Sequence, residues 1–324
     1  MRAVRFRHAG GPETLAVEEL PDPVAGPGEV LIDVTAAGLN RADALQRRGR
    51  YNLPPGASDI FGMEVSGTVA QLGPGTGGFT IGDKVVALLA SGGYATKVAV
   101  PAGQVLPAPQ ATGLLEAGGI PEVAATLVAN ICMLGQFRPG ETVLIHGATG
   151  GIGTFGIQLI KALGGRVAVT ASTPEKLDTA RQLGADILIN YREQDFGEIL
   201  EAAGGADIVL DTVAGPYLPA NLRALAPFGR IITIGRQGGA EGTLDFAALM
   251  KKKATITGTL LRDRPAGQKA EIMHETHTTV WPLLEAGAIR TPTDRVFGLS
   301  DVAAAHEYFE AGGHIGKILL DCRT

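Results

Sequence analysis

Between a short apolar stretch and a helix-like one, residues 143–164 read "VLIHGATGGIGTFGIQLIKALG". Ala148, Gly150 and Gly153 fall at the three positions of a small-x-Gly-x-x-Gly turn, whose chemistry is to hold a pyrophosphate on bare backbone. Ala148 stands where a first glycine is usual and still fits a tight turn. Gly150, with Gly151 and Ile152 behind it, lets the backbone approach the phosphates, and Gly153 lets helix and strand pack closely. The helix is expected to start near Gly153, its first amides facing the anion. No Lys-Ser or Lys-Thr follows at the spacing of a P-loop, so the expected ligand is a dinucleotide. Taken alone, the turn also fits an ordinary strand-to-helix connection; its flanks carry the dinucleotide reading.

The next strand decides which dinucleotide. An NAD site usually ends its second strand on Asp or Glu, which holds the ribose hydroxyls. Here "VAVTASTPEK" offers Thr170, Ala171, Ser172 and Thr173, and no acid. Ser172 can donate to a 2′-phosphate, Lys176 adds positive charge one turn later, and Tyr191 at the end of the following strand can close the pocket. Lys176 by itself reads equally as a solvated helix residue. With the acid missing, the three together favour NADPH.

Such a site needs a parallel sheet to position it, and the chain beyond Pro121 has that pattern. "EVAATLVANICMLGQF" reads as a helix, "TVLIHGA" as a strand, "GTFGIQLIKALG" as a helix and "RVAVTAS" as a strand. The alternation continues through "RIITIG", and "KATITGTLL" at 253–261 adds a last strand. Strands and helices at this spacing mean βαβ units, hence an α/β fold with a Rossmann-type, doubly wound parallel sheet. Before it the texture differs: "RAVRF", "EVLIDVTAAG", "MEVSGTVAQLG" and "YATKVAV" are short strands broken by Gly/Pro turns, which suggests a compact, mostly antiparallel, barrel-like domain. The tail returns to that texture, with a helix near 267–286, "RVFGL", a helix near 301–311 and "GKILL". The domains expected are therefore 1–122 with 265–324, discontinuous, and 123–264.

A chain of 324 residues can bury the cores of two domains, and 45% hydrophobic content with 19% charge is too apolar for disorder. A formal net charge of -5 gives no electrostatic reason to expect nucleic acid or an anionic membrane as partner. Cys132 and Cys322 are the two cysteines, too few for a disulfide framework or a four-cysteine zinc site. The N-terminal "MRAVRFRHAGG" lacks a signal-peptide core and no run of 18 apolar residues occurs, so a cytoplasmic location is the expectation.

Further motifs run the length of the chain: "AAGLNRADALQRRGRYNLPPGAS" (36–58), "FGMEVSGTV", "GDKVVALL", "HGATGGIG", "LGADILINYREQDF", "TGTLLR" and "HIGKILL". In this joint order they closely resemble the zinc-free quinone oxidoreductases of the medium-chain dehydrogenase/reductase superfamily, the p53-inducible quinone oxidoreductase type in particular. The resemblance implies a GroES-like catalytic domain completed by the C-terminal tail, a Rossmann domain for NADPH, and a homodimer or tetramer. "RIITIG" and "ATITGTLL" are the candidate strands for pairing two copies.

It also bears on metal. In the zinc alcohol dehydrogenases a Cys occupies the position matching Asn40, and a Gly-His-Glu motif matches Gly62, Met63 and Glu64. An amide is a poor replacement for thiolate and a thioether cannot replace imidazole, so no catalytic metal is expected. "HETH" at 274–277 does not make a His-Glu-x-x-His frame and reads as helix surface. Without a Lewis acid the acceptor must already be electrophilic, which a quinone is.

By resemblance, Tyr51 lines the substrate side, where its phenol could hydrogen-bond an acceptor oxygen; it also reads as an aromatic packing residue. Asn40 matches a residue near the nicotinamide and its ribose, and Thr126 one beside the nicotinamide, with Asn130 a turn on. Ala124 and Leu127 stand where many relatives carry bulkier aromatics. Gly235 and Arg236 follow a strand's carboxyl end, Leu260, Leu261 and Arg262 match a segment flanking the nicotinamide, and Gly316 and Lys317 match a tail segment that returns to the cofactor. The expected function is NADPH-dependent quinone reduction by direct hydride transfer. An enone or 2-enoyl thioester reductase is the alternative, and a non-catalytic structural or nucleic-acid-binding protein that kept its nucleotide pocket is the second.

Overall fold

The computed structural model describes every residue except Asn52. Two compact units result: residues 1–125, 261–287 and 291–324 form the first, and 126–260 with 288–290 the second. The chain opens with β1 (Arg2–Phe6), β2 (Leu15–Glu19), β3 (Glu29–Gly38), β4 (Glu64–Leu72), β5 (Lys84–Leu88), β6 (Lys97–Pro101) and β7 (Val105–Pro107). Next come β8 (Thr142–His146), β9 (Arg166–Ala171), β10 (Ile187–Asn190), β11 (Ala206–Asp211), β12 (Leu225–Thr233) and β13 (Thr255–Gly258). Last are β14 (Thr293–Gly298) and β15 (Lys317–Asp321).

In the first unit β3 is the spine. It pairs antiparallel with β4 along one edge, and on the other with β6 through residues 29–33 and with β15 through residues 36–38. Register shifts at Leu31/Ile32 and Val34/Ala36 bend the strand, which lets one strand serve two partners. β15 in turn carries β14, so the C-terminal tail is built into the sheet begun by the N-terminal strands. Val30, Ile32, Val65, Tyr94, Ile318 and Leu320 share one buried cluster, so the tail strand packs into the core of the N-terminal ones.

The second unit is a six-stranded, all-parallel sheet in the order β10-β9-β8-β11-β12-β13. Strand order reverses on either side of β8, the place where open α/β sheets bind ligands at their carboxyl ends. The near-continuous apolar runs of β8 and β11 fit burial on both faces. β12 pairs with both β11 and β13, so "RIITIG" is an internal strand and only β13 of the two proposed pairing strands lies at an edge. Among the described residues, no helix is long and apolar enough to cross a membrane.

Candidate active site

The turn after β8 has the shape that a phosphate cradle needs. Gly147 takes φ +89°, and its amide and that of Ala148 both donate to Thr170 O at 3.2 and 3.1 Å, which pins the turn to β9. The positive φ therefore falls on Gly147, one residue before the fingerprint position assigned to Ala148. The helix begins at Gly151 rather than Gly153, with Gly150 as an N-cap that makes no side-chain cap bond. A Cβ placed on Gly150 would meet nothing within 4 Å, so the space in front of the first turn is open. Gly153 is closed in: its Cβ would lie 2.2 Å from Gly147 O and 2.5 Å from Ala148 O. It thus seats the helix on its own turn, while Gly156, whose Cβ would come 2.8 Å from Ile145 Cδ1, does the close packing on the strand. An open cradle of uncapped amides fits a pyrophosphate.

The second half of the nucleotide site comes from the adjoining strand ends. Ser172 directly follows β9, Tyr191 directly follows β10, and the Tyr191 amide donates to Ala171 O at 3.1 Å. Thr173 caps the helix Pro174–Gln182 and accepts from the Lys176 amide, so Lys176 stands in the first turn beside them. No acidic residue ends β9. Beneath the sheet's carboxyl end His146 is buried between Thr170 Oγ1 (3.0 Å) and Asn221 Oδ1 (2.7 Å), and burial holds it below the usual imidazole range.

Thr126 and Asn130 bracket an irregularity. The helix Pro121–Leu127 continues as a π-helical stretch, Val128–Leu134, and Asn130 Nδ2 donates to Thr126 O at 2.7 Å. Asn130 Oδ1 is buried with no hydrogen-bond partner among the described residues, the state of a group that meets a ligand. Gly235 packs on the backbone of Thr212, and Arg236 and Leu260 are exposed.

In the first unit Asn40 joins the buried Glu64 and Lys317, and the half-buried Tyr51 lies against the buried Arg262. Asn40 precedes the helix Arg41–Arg47, and its amide donates to Asp43 Oδ2 at 2.9 Å. Its side chain is engaged at both ends: Nδ2 donates to Glu64 Oε1 (2.9 Å) and Oδ1 accepts from Lys317 Nζ (2.9 Å). Lys317, 3% exposed, also donates to Glu64 Oε1 at 2.6 Å and to Leu39 O at 3.1 Å. Its charge is thus paired within the chain, on Glu64. Gly316 has a backbone reason of its own, with φ +87° and Pro292 O where a Cβ would go. Arg262 is buried likewise. Its Nε donates to Ala90 O, another arm donates to Gln46 Oε1, and the guanidinium lies 5.3 Å from the centre of the Tyr51 ring. It supports Tyr51, and its neighbour Leu261 is buried as well.

Burial, chiefly, pushes the Tyr51 phenol up to about 12, with Glu122 adding to it and Arg262 opposing. Nothing in the sequence distinguishes Glu122, since an acid in the first turn of a helix is an ordinary terminus signal. Here its amide donates to Glu64 Oε2 at 2.9 Å, and burial, then the charge of Glu64, push its carboxyl up to about 8. Asp43, fully buried and bonded by Tyr94 Oη at 3.0 Å, is pushed up to about 6.

The residues matched to zinc ligands do not suit zinc. They present an amide, a buried thioether at Met63 and a carboxylate that already carries the Lys317 ammonium.

Comparison with known proteins agrees with this anatomy. Residues 26–110 match the alcohol dehydrogenase GroES-like domain, and residues 183–320 match the family model described as zinc-binding dehydrogenase. The chain is 32% identical to 2-haloacrylate reductase of Burkholderia sp, over 96% of each chain. It is 30% identical to the mycocerosic acid synthase-like polyketide synthase of Mycobacterium tuberculosis, over 98% of this chain but only 15% of that protein's length. Escherichia coli quinone oxidoreductase, solved in complex with NADPH, superposes with a TM-score of 0.89 at 27% identity, covering 99% of this chain and 100% of that one. With its GroES-like unit, its Rossmann-type unit and the nucleotide cradle of the latter, the chain belongs to the medium-chain dehydrogenase/reductase superfamily of oxidoreductases.

Proposed function

We propose that this chain reduces electron-poor conjugated acceptors, quinones first among them, with NADPH and without zinc, in the manner of the p53-inducible quinone oxidoreductase type. One observation carries the reading. The Lys317 ammonium sits on Glu64 and Asn40, two of the three positions matched to zinc ligands, so a protein cation occupies the donors that a metal would need. Lacking a Lewis acid, the site suits acceptors that are electrophilic already. The preference for NADPH rests on the missing acid at the end of β9, on Ser172, Lys176 and Tyr191, and on the NADPH bound by the Escherichia coli relative.

When bound, NADPH supplies the hydride; placement and the exclusion of competing chemistry fall to the protein. Gly150, Gly151, Ile152 and Gly153 would hold the pyrophosphate of a bound cofactor. Asn130, with Thr126, Gly235, Arg236 and Leu260, would serve its nicotinamide end. Within the first unit, Lys317 and Glu64 fix the Asn40 amide. The Tyr51 phenol keeps its proton and donates a hydrogen bond to the acceptor oxygen, while Arg262 holds the ring. Water then supplies the proton that completes reduction. The protein is taken to work in the cytoplasm as a homodimer or tetramer.

A second reading, reduction of a conjugated carbon–carbon double bond, is favoured by the similarity to 2-haloacrylate reductase and to the polyketide synthase. NADPH oxidation with a quinone, an enone, a 2-enoyl thioester and a simple ketone, on chelator-treated protein, tests both. Turnover of the quinone and none of the ketone is expected. Fast turnover of the enone or thioester with an inert quinone would favour the second reading, and no turnover of any would leave the non-catalytic alternative.

A further inference from the structure

The first unit holds a cavity of about 430 Å³ that this chemistry does not use. Its walls come from the Pro54–Ser58 loop, from β6 through Val98, and from the first turn of the helix Ala266–Glu285, which presents Ala266 and Lys269. That volume is ordinary for a small-molecule pocket, and most of the lining is apolar. The turn Ala102–Gln104 rests directly on the same helix, since a Cβ on Gly103 would lie 2.8 Å from Ala270 Cβ. The helix is thus firmly seated where it meets the cavity.

Lys269 is the anomaly. It is 4% exposed, yet no hydrogen bond or ion pair reaches its ammonium among the described residues. Burial pushes that ammonium below its ordinary range; Glu122 and Asp263 counter this and Arg262 adds to it. Its place near the start of a 20-residue helix adds repulsion from the helix dipole. The N-cap, Pro265, makes no side-chain cap bond, and among the described residues no other side chain accepts from the exposed Ala266, Gly267 and Gln268 amides of the first turn. A bound anion would relieve the desolvation, the missing partner and the dipole together.

We infer that the cavity binds a small organic carboxylate, its anionic head on Lys269 and the uncapped first turn, its apolar body against Pro54, Ile60 and Val98. The inference stands apart from hydride transfer and would hold for a protein that reduced nothing. Isothermal titration of the intact protein with hexanoate, hexanamide and inorganic phosphate at low salt tests it. Hexanoate should bind at least about tenfold more tightly than hexanamide, as a charge-assisted contact implies. Phosphate should not displace it. Lys269→Met should erase the preference and Lys269→Arg should keep it. Equal affinity for acid and amide, an unchanged preference in Lys269→Met, or phosphate binding as tightly as hexanoate would overturn the assignment. Each variant is checked by its NADPH affinity; if Lys269→Met fails that check, the wild-type ratio of hexanoate to hexanamide decides alone.

Discussion

Tyr51 is built to keep its proton. Burial holds the phenol near the top of its range, pushed up to about 12, and the guanidinium of Arg262 fixes the ring from one side. An acid so weak orients better than it donates, so Tyr51→Phe should lower quinone turnover less than ~10-fold, short of the 10²–10⁴-fold contribution of positioned acid catalysis. A larger loss at saturating NADPH, with NADPH binding intact, would make the phenol the proton source. Glu122 gives a second test at this scale. Its carboxyl, raised from 4.5 to about 8, binds a proton in the folded protein that it lacks in the unfolded chain across that interval. Its contribution to stability is therefore complete below 4.5 and lost as pH climbs through about 8. Glu122→Gln cannot ionise and should flatten the fall in Tm over that window, whereas Asp43, raised to about 6, acts in both proteins. Parallel Tm profiles for the two would show that Glu122 is charged.

At the scale of elements, the two fingerprint glycines separate binding from folding. Gly150 faces open space and Gly153 faces its own turn, so Gly150→Ala should keep the wild-type Tm without cofactor but bind NADPH weakly. Gly153→Ala must push the turn's carbonyls apart and should lose both. Equal Tm losses in the two variants would contradict this division. Much of the arrangement was legible beforehand, because periodicity marks a βαβ unit and a glycine run between strand and helix marks the cradle. Which glycine does what was not, since φ at Gly147 and the packing of Gly156 depend on neighbours far along the chain. Lys317 shows the same limit: nothing in "GKILL" points to Glu64, which the pairing of β15 with β3 brings to its ammonium. Lys269 carried no signal at all, as a lysine in a helical stretch ordinarily faces water. β12 looked as suitable for pairing copies as β13, and only sheet order tells them apart.

For the whole molecule, β13 is an edge strand with Ile256 exposed, and Phe246 and Met250 on the helix Phe246–Lys252 are exposed as well. An apolar open edge favours pairing with a second copy. Sedimentation should find a dimer that Ile256→Lys shifts toward monomer; a wild-type monomer at every concentration would contradict it. The Lys317 ammonium sits on Asn40 and Glu64, two of the positions matched to zinc ligands, so the proposed activity should need no metal. The most direct measurement is zinc content and quinone turnover on one preparation, before and after chelation. Far less than one zinc per chain is expected, with turnover unchanged by the chelator. One zinc held per chain, with turnover lost on chelation and restored by added zinc, would contradict it.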